Sequence, residues 1–260
     1  MWDYTYRYAY AFDVCNHGTA QLTFTDIQPS NIMIQVPDEK LILDHLSEVP
    51  APTTSSAAPD EPYMIIPSSD LRDVYFPEEG FNMMTLSICL SDWGVASFKD
   101  RHLSEFIQPV LLRAPEVILE APWSTAVDVW NLGALVPELM YRQNMFSAHD
   151  AKTSMYSTKV HLQEIAALLG PFPPSLIEQA HLEDVMSVFG LDGQPLDDAT
   201  AKNTVSLQQR FASLPANEAV KFEDLVRAML TIDPGQRKTA AELLEHPWLK
   251  HEYVEDLHYD

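Results

Sequence analysis

Three side chains whose oxygen atoms suit acid–base and metal chemistry mark two short segments of this 260-residue chain. Asp26 and Asn31 lie five residues apart in the first segment, and Asp92 stands directly before Trp93 and Gly94 in the second. A carboxylate can accept the proton of a hydroxyl group, and carboxylate and amide oxygens can bind Mg²⁺. A lone Asp-x-x-Pro, however, is by default a turn in which the carboxylate caps a backbone amide. The interpretation therefore depends on the rest of the chain.

Further motifs follow these residues in an order that is typical of one family. The segments are, in order, Thr25-Asp26-Ile27-Gln28-Pro29-Ser30-Asn31-Ile32, Ser91-Asp92-Trp93-Gly94, Arg113-Ala114-Pro115-Glu116 and Asp128-Val129-Trp130-Asn131-Leu132-Gly133. They resemble the large lobe of eukaryotic protein kinases, in which a catalytic loop, D-F-G, A-P-E and D-x-W-x-x-G occur in this order. The resemblance implies a mainly α fold, α+β overall, with short β-hairpins around the catalytic loop.

The resemblance also implies roles in phosphoryl transfer from ATP. Asp26 would be the catalytic base, or the group that orients the attacking hydroxyl, while Asn31 and Asp92 would bind Mg²⁺. Gln28 stands where many of these kinases have a Lys that touches the γ-phosphate, and Gly94 gives its turn backbone freedom. ATP and Mg²⁺ are therefore the expected cofactors. The alternative for Asp92 is an unrelated turn at the end of a strand.

Three other residues are expected to stabilise the lobe. In kinases the Glu of A-P-E forms a buried ion pair with an Arg near the C-terminus, and here these residues are Glu116 and Arg237. Breaking such a pair leaves one buried charge without a partner, so its loss is expected to destabilise the fold strongly. Asp128, at the start of the central helix, is expected to bond to the backbone of the catalytic loop.

Within the family, the loop resembles that of the SR-protein kinases and their fungal relatives. These kinases have Thr in place of the Arg that precedes the catalytic Asp, as at Thr25, and carry a spacer before the D-F-G. The segment 160–171 is also similar to the fungal relatives. With Thr25 there is no basic residue to receive an activation-loop phosphate, so activity should not require one. The implied reaction is phosphorylation of Ser in Arg/Ser-rich proteins.

The net charge of -22 agrees with a basic protein substrate. An acidic surface attracts basic proteins and repels nucleic acid and anionic membranes, although solubility alone also explains such a charge. No apolar run reaches the roughly 18–20 residues that span a bilayer, and the first residues lack the pattern of a signal peptide. Cys15 and Cys89 are far apart, and the nine His residues show no metal-binding spacing. We expect a cytoplasmic or nuclear protein.

Several positions depart from the family pattern. Phe24 replaces the usual His, Gln28 the usual Lys and Leu112 a frequent Tyr. Only 25 residues precede Asp26, no G-x-G occurs, and the first Lys is Lys40, so the ATP-gripping small lobe is expected to be missing. We therefore expect weak or no phosphate transfer by this chain alone. The alternative function is a non-catalytic pseudokinase lobe that binds basic proteins through its acidic surface.

The elements that position these residues are predicted from periodicity and composition. The kinase-like lobe is predicted over residues 1–36 and 83–249, a loosely ordered Pro/Ser-rich spacer over 37–82, and an acidic tail over 250–260. A buried helix is predicted over 124–141, with Ser124 or Thr125 as its N-cap and a kink or local break at Pro137. The other predictions are a helix, a turn and a short strand within 6–24, strands at 32–34 and 86–88, helices over 159–169, 222–230 and 240–249, and a polar loop over 192–203.

Overall fold

The computed structural model describes residues 22–34, 39–48, 88–142, 144–181, 185–190, 192–196 and 205–250. Within these ranges the protein is mainly helical with a few short strands, which confirms the predicted fold class. No helix of the described part is both long and apolar enough to cross a membrane. The helix and turn predicted before residue 22 and nearly all of the acidic tail lie outside the described residues.

The chain divides into two compact units. One comprises Met1–Met33 and Cys89–Asp260, and the other comprises Ile34–Ile88. The predicted spacer, 37–82, falls in the second unit, and its boundaries stay a prediction.

Four short strands and nine α-helices occur in the described residues. The strands are β1 (Leu22–Thr23), β2 (Ile32–Ile34), β3 (Ile88–Leu90) and β4 (Ser97–Phe98). The helices are α1 (Glu39–Glu48), α2 (Pro115–Ile118), α3 (Ala126–Tyr141), α4 (Thr158–Leu169), α5 (Pro174–Glu178), α6 (Val185–Val188), α7 (Leu207–Arg210), α8 (Ala216–Met229) and α9 (Ala240–Leu244).

The strands form two small sheets beside the catalytic-loop segment. β1 runs antiparallel to β4, with Leu22 opposite Phe98, and β2 pairs with β3. Of the strand predicted at 86–88, residue 88 lies in β3, which continues to Leu90, while residues 86 and 87 lie outside the described ranges. Directly after β3, the Ser91 N–H donates to the Asn31 carbonyl oxygen at 2.8 Å. Pairing with the segment of β2 and Asn31 therefore carries β3 two residues beyond its predicted end at 88.

Helix α1 differs from the loosely ordered spacer predicted for its residues. It is ten residues long and carries an i, i+4 pair in which the Lys40 ammonium lies 3.6 Å from the Asp44 carboxylate. Such pairs stabilise a helix by a few tenths of a kcal/mol. The spacer prediction rested on the Pro- and Ser-rich residues from 49 onward, which lie outside the described ranges.

Helix α3 is the buried centre of the lobe. Its residues from Val127 to Pro137 are all buried, so the helix is covered on every side. The predicted local break at Pro137 does not occur, because the surrounding core holds the helix together as far as Tyr141. Thr125 is the N-cap, without a side-chain cap bond. Gly133 permits the close approach of α8, since a Cβ there would lie 2.7 Å from that of Met229.

The remaining predicted helices exist with different bounds. α4 begins one residue early because the Ser157 hydroxyl caps it, and it ends at Leu169, directly before Gly170, whose φ is 105°. α8 begins at 216 rather than 222; the prediction missed residues 216–221 because Val220 is the only large apolar residue among them. α9 ends at Leu244 rather than 249. Pro247 follows shortly afterwards, and a proline disfavours helical backbone at the residue before it. Of the predicted polar loop, residues 192–196 form a turn and the rest lie outside the described ranges.

Candidate active site

The segment 24–31 is anchored to the first turns of α3. The Asp128 carboxylate accepts two backbone hydrogen bonds, from the Phe24 N–H at 2.7 Å and from the Thr25 N–H at 3.0 Å. One turn farther on, the Asn131 side-chain amide donates to the Ile27 carbonyl oxygen at 2.9 Å. The backbone on both sides of Asp26 is thereby fixed. This is the contact that the resemblance implied for Asp128.

The Asp128 carboxylate is 1% exposed, and its environment changes its protonation. Burial raises its pKa to about 7, while the two backbone donors favour the charged form and limit the rise. The position in the first turn of α3 also favours negative charge, because unpaired N–H groups point toward it there.

Thr25 joins the loop to the turn that carries Asp92. Its φ is 67°, in the left-handed region that β-branched residues rarely adopt. Its N–H bonds to Asp128, its carbonyl oxygen accepts the Gln108 N–H at 3.0 Å, and its hydroxyl donates to the Val95 carbonyl oxygen at 2.9 Å. These three bonds hold the unfavourable conformation in place.

The Asp26 carboxylate is held by two side-chain amides. Gln28 Nε2 lies 3.1 Å from Asp26 Oδ1 and 3.0 Å from Oδ2. Asn31 Nδ2 donates to Oδ2 at 2.8 Å and to the Asp26 carbonyl oxygen at 2.9 Å. The structure thus brings together Asp26, Gln28 and Asn31, three of the predicted site residues. A carboxylate in a fixed orientation can accept a proton from a hydroxyl group placed beside it.

Asp92 lies in the turn after β3, directly before the 3₁₀ helix Trp93–Val95. Its φ of 62° is again in the left-handed region, and its side chain is exposed. The turn is tied to the catalytic loop through Ser91, whose N–H and hydroxyl both donate to the Asn31 carbonyl oxygen, at 2.8 and 3.2 Å. Asn31 and Asp92 are therefore linked through one intervening residue. A Cβ at Gly94 would lie 3.3 Å from Asp92 Oδ1, so glycine leaves the carboxylate room.

The chemistry of these donors fits Mg²⁺. Asn31 uses its amide nitrogen on Asp26, which leaves its amide oxygen available, and the Asp92 carboxylate forms no ion pair with any described residue. Oxygen atoms from one or two side chains, completed by phosphates and water, are the usual Mg²⁺ ligands in proteins. The described residues contain no group of three or more His, Cys, Asp or Glu side chains that could hold a metal.

Two residues that the sequence analysis did not single out shape the segment between Asp92 and Glu116. The Gln108 side chain donates to the Val127 carbonyl oxygen at 2.8 Å and accepts the Ala114 N–H at 2.8 Å. The Arg113 guanidinium donates to two carbonyl oxygens of the segment and lies 3.8 Å from the centre of the Phe106 ring. The R-A-P-E motif could have pointed to Arg113, whereas no local pattern distinguishes Gln108.

Glu116 and Arg237 form a completely buried, two-pronged ion pair. The two guanidinium nitrogens of Arg237 lie 2.7 and 3.0 Å from the two carboxylate oxygens of Glu116, and both side chains are 0% exposed. Arg237 also donates to the carbonyl oxygens of Ala126 and Thr231 and lies 5.1 Å from the ring centre of Trp130. The structure places these residues opposite each other, as the resemblance implied. The pair joins the end of the segment 92–116 to the last turns of the lobe.

This arrangement of loop, turn and central helix is that of a protein kinase, and comparison with known families agrees. The family model described as protein kinase domain matches residues 79–249, about two thirds of the chain. The chain belongs to the protein kinase family, as the sequence motifs predicted. The matched range contains Asp92, Glu116 and Asp128, and the segment 24–31 precedes it.

Similarity to individual relatives extends, for one of them, over nearly the whole chain and therefore over the catalytic loop. The dual specificity protein kinase CLK4 of Homo sapiens is 26% identical over 245 residues, which cover 94% of this chain and 43% of that protein. A serine/threonine protein kinase of Aspergillus fumigatus is 35% identical over 160 residues, 62% of this chain and 39% of its own length. The dual specificity protein kinase lkh1 of Schizosaccharomyces pombe is 29% identical over 71% of this chain and 27% of its own length. The chain thus spans less than half the length of these relatives.

Solved structures agree on the fold. A crystal structure described as a kinase domain superposes with a TM-score of 0.60 at 20% sequence identity, covering 95% of this chain and 65% of that one. The kinase-like fold predicted from the motif order is confirmed.

Proposed function

We propose that this chain takes part in ATP-dependent phosphorylation of Ser in basic, Arg/Ser-rich proteins, as a protein kinase of the SR-protein-kinase type. The observation that carries the proposal is the fixed orientation of the Asp26 carboxylate, which accepts hydrogen bonds from the side-chain amides of Gln28 and Asn31. In the proposed step the substrate hydroxyl oxygen bonds to the γ-phosphorus, the bond to the β,γ-bridging oxygen breaks, and ADP leaves. The hydroxyl proton passes to Asp26.

Asn31 and Asp92 would hold Mg²⁺ through their side-chain oxygens. When bound, the metal neutralises charge on the transferring phosphate. The chain's own contribution is to orient the Asp26 carboxylate and to keep the Asp92 turn beside it through Ser91. These contacts are positional, and positioning dominates catalysis of phosphoryl transfer.

Charge supports a basic substrate. The chain carries 38 acidic and 16 basic residues, and neither Asp26 nor Asp92 forms an ion pair within the described residues. Arg113, in the segment that leads to the A-P-E motif, is buried and occupied by carbonyl oxygens and the Phe106 ring. A substrate with Arg near its acceptor Ser would be attracted to this acidic chain, while Asp26 and Asp92 stay available for the hydroxyl group and for Mg²⁺.

The proposal is tested by turnover on an Arg-Ser repeat peptide with ATP and Mg²⁺, beside the same peptide with citrulline in place of Arg. Citrulline keeps the shape of Arg and removes its charge. We expect phosphate transfer by the native protein, loss of at least about a hundredfold in Asp26→Asn, and a clear preference for the Arg peptide. Equal activity of Asp26→Asn and the native chain would overturn the proposal.

A non-catalytic lobe that binds basic proteins is the second candidate. Phe24 and Gln28, which depart from the family pattern, favour it. Mg²⁺–ADP discriminates the two functions, because a ligand present at a hundred times its dissociation constant stabilises a fold by about 2.7 kcal/mol. A binding-only lobe shows no such stabilisation but still captures the Arg peptide.

A further inference from the structure

Gln28 is tied to the catalytic loop by both its side chain and its backbone. Its side-chain nitrogen contacts both oxygens of Asp26, at 3.1 and 3.0 Å, and its carbonyl oxygen accepts the Asn31 N–H at 3.0 Å. No donor to the Gln28 amide oxygen occurs among the residues that the structure describes. Within the described residues, the side-chain hydrogen bonds that Gln28 donates thus all go to the Asp26 carboxylate.

Local backbone chemistry fixes the direction of this side chain. Pro29 follows Gln28 and begins the 3₁₀ helix Pro29–Asn31. A residue before proline is pushed into extended backbone, and Gln28 has φ -148° and ψ 162°. The extended backbone and the turn of the 3₁₀ helix together bring the amides of Gln28 and Asn31 to the same carboxylate.

We propose that Gln28 is a positioning residue that orients Asp26, and that it does not grip the nucleotide phosphate. This inference rests on the proposed function, because it assigns a role within the same phosphoryl-transfer site. A neutral amide holds the carboxylate without placing a cation beside the transferring phosphate. The positive charge that the phosphate needs is therefore left to Mg²⁺ and to the substrate.

Kinetic variants separate the two roles of Gln28. Gln28→Leu removes the donor at similar size, whereas Gln28→Lys keeps an N–H donor within reach of Asp26. A positioning role predicts that Gln28→Leu lowers kcat about tenfold to a hundredfold, with KM for ATP and the Kd of Mg²⁺–ADP within about twofold of native. Gln28→Lys should keep kcat within several-fold. Gln179→Leu, at an exposed glutamine that bonds to the Ser175 carbonyl oxygen, is the matched control.

The opposite pattern would overturn the inference. If Gln28→Leu weakens Mg²⁺–ADP binding and raises KM for ATP while kcat holds, Gln28 contacts the nucleotide. If neither parameter changes, Gln28 has no role in the step. Thermal unfolding of each variant shows whether the fold is retained.

A second measurement tests the contact without turnover, so that failure of the proposed function is recognised separately. The side-chain amide of Gln28 gives two ¹H–¹⁵N signals in an NMR spectrum of the folded chain. They should move in Asp26→Asn, which removes the charged acceptor, and stay in place in Asp92→Asn. If the signals do not move in Asp26→Asn, the inference is wrong, whether or not the chain transfers phosphate. Signals that respond support the contact even in a chain that shows no turnover.

Discussion

Phe24 and Trp93 lie in edge-to-face contact, with ring centres 4.8 Å apart and planes inclined by 78°. Phe24 precedes the catalytic loop and is 2% exposed, whereas Trp93 follows Asp92 and is 39% exposed. The indole nitrogen of Trp93 also donates to the Leu90 carbonyl oxygen at 3.1 Å. Both residues depart from the family pattern, since Phe24 stands in place of the usual His and Trp93 in place of the Phe of D-F-G. The two replacing side chains contact each other. The contact joins the loop of Asp26 to the turn of Asp92.

The first prediction concerns this aromatic pair. Trp93→Ala should lower the free energy of unfolding by about 1–3 kcal/mol, because the ring contact and the apolar cover over Phe24 are lost together. It should also weaken Mg²⁺–ADP binding, since the Asp92 turn loses one of its ties. Urea unfolding and a nucleotide titration measure the two effects. Trp93→Phe, which keeps an aromatic ring, is the control and should lie closer to native. A Trp93→Ala protein with native stability and binding would contradict the prediction.

The second prediction concerns the buried ion pair. Glu116→Ala should destabilise the fold by about 3–5 kcal/mol, because the Arg237 guanidinium is left buried without its carboxylate. Glu242→Ala provides the contrast, since the Glu242 carboxylate pairs with Lys238 at 3.1 Å at the surface. The surface ion pair itself contributes at most about 1 kcal/mol. Glu242 also caps α9, so Lys238→Ala is the cleaner control for the ion pair alone. Equal losses in Glu116→Ala and Lys238→Ala, measured by chemical denaturation, would show that burial of the pair is unimportant.

The third prediction concerns His161, which is 0% exposed on α4. Burial lowers its pKa from 6.5 to about 3, and the positive charge of Arg113 adds to the effect. The unfolded chain therefore binds a proton between about pH 6.5 and pH 3 that the folded chain does not. Stability from this residue is complete above pH 6.5 and is lost as the pH falls, by about 2 kcal/mol between pH 7 and pH 5.

His161→Leu tests this account. Between pH 7 and pH 5, the free energy of unfolding of His161→Leu should fall by about 2 kcal/mol less than that of the native protein. The difference between the two proteins is the relevant quantity, because other groups titrate in both. A difference that does not change with pH would show that His161 becomes charged inside the fold.

The fourth prediction concerns Asp128, whose pKa is raised in the folded chain, whereas that of His161 is lowered. Because burial raises the pKa of Asp128 from 3.8 to about 7, the folded chain holds the proton more tightly, and this contribution to stability declines as the pH rises from about 4 to 7. Asp128→Asn should remove that slope. It should also lower the free energy of unfolding at pH 7 by about 1–3 kcal/mol, because the amide nitrogen of Asn cannot accept the N–H bond that one carboxylate oxygen accepts from Phe24 or Thr25. Urea unfolding at pH 5 and pH 7 measures both effects, and an unchanged slope in Asp128→Asn would refute the assignment.

The parts of the site that depend on chain order were accessible from the sequence. The spacing of Asp26, Asn31 and Asp92 indicated the family, and the central helix followed from its apolar content. The end of β3 was not accessible, because hydrogen bonds to another segment determine it, and the first residues of α8 were missed because they carry little apolar periodicity. The helix over 39–48 was not predicted, because its residues were assigned to the spacer on the basis of the Pro- and Ser-rich residues that follow them.

The order of the residues establishes which side chains carry carboxylates and amides, their spacing along the chain, and the family to which the chain belongs. The contacts of Gln28 with Asp26, of Phe24 with Trp93, and of Gln108 with Val127 and Ala114 are visible only in the folded chain. Motif spacing records positions along the chain, whereas a side chain's hydrogen bonds and ring contacts depend on its rotamer and on which segments the core brings beside it. Phe24 and Trp93 lie on either side of the spacer, so no local pattern in the sequence could relate them.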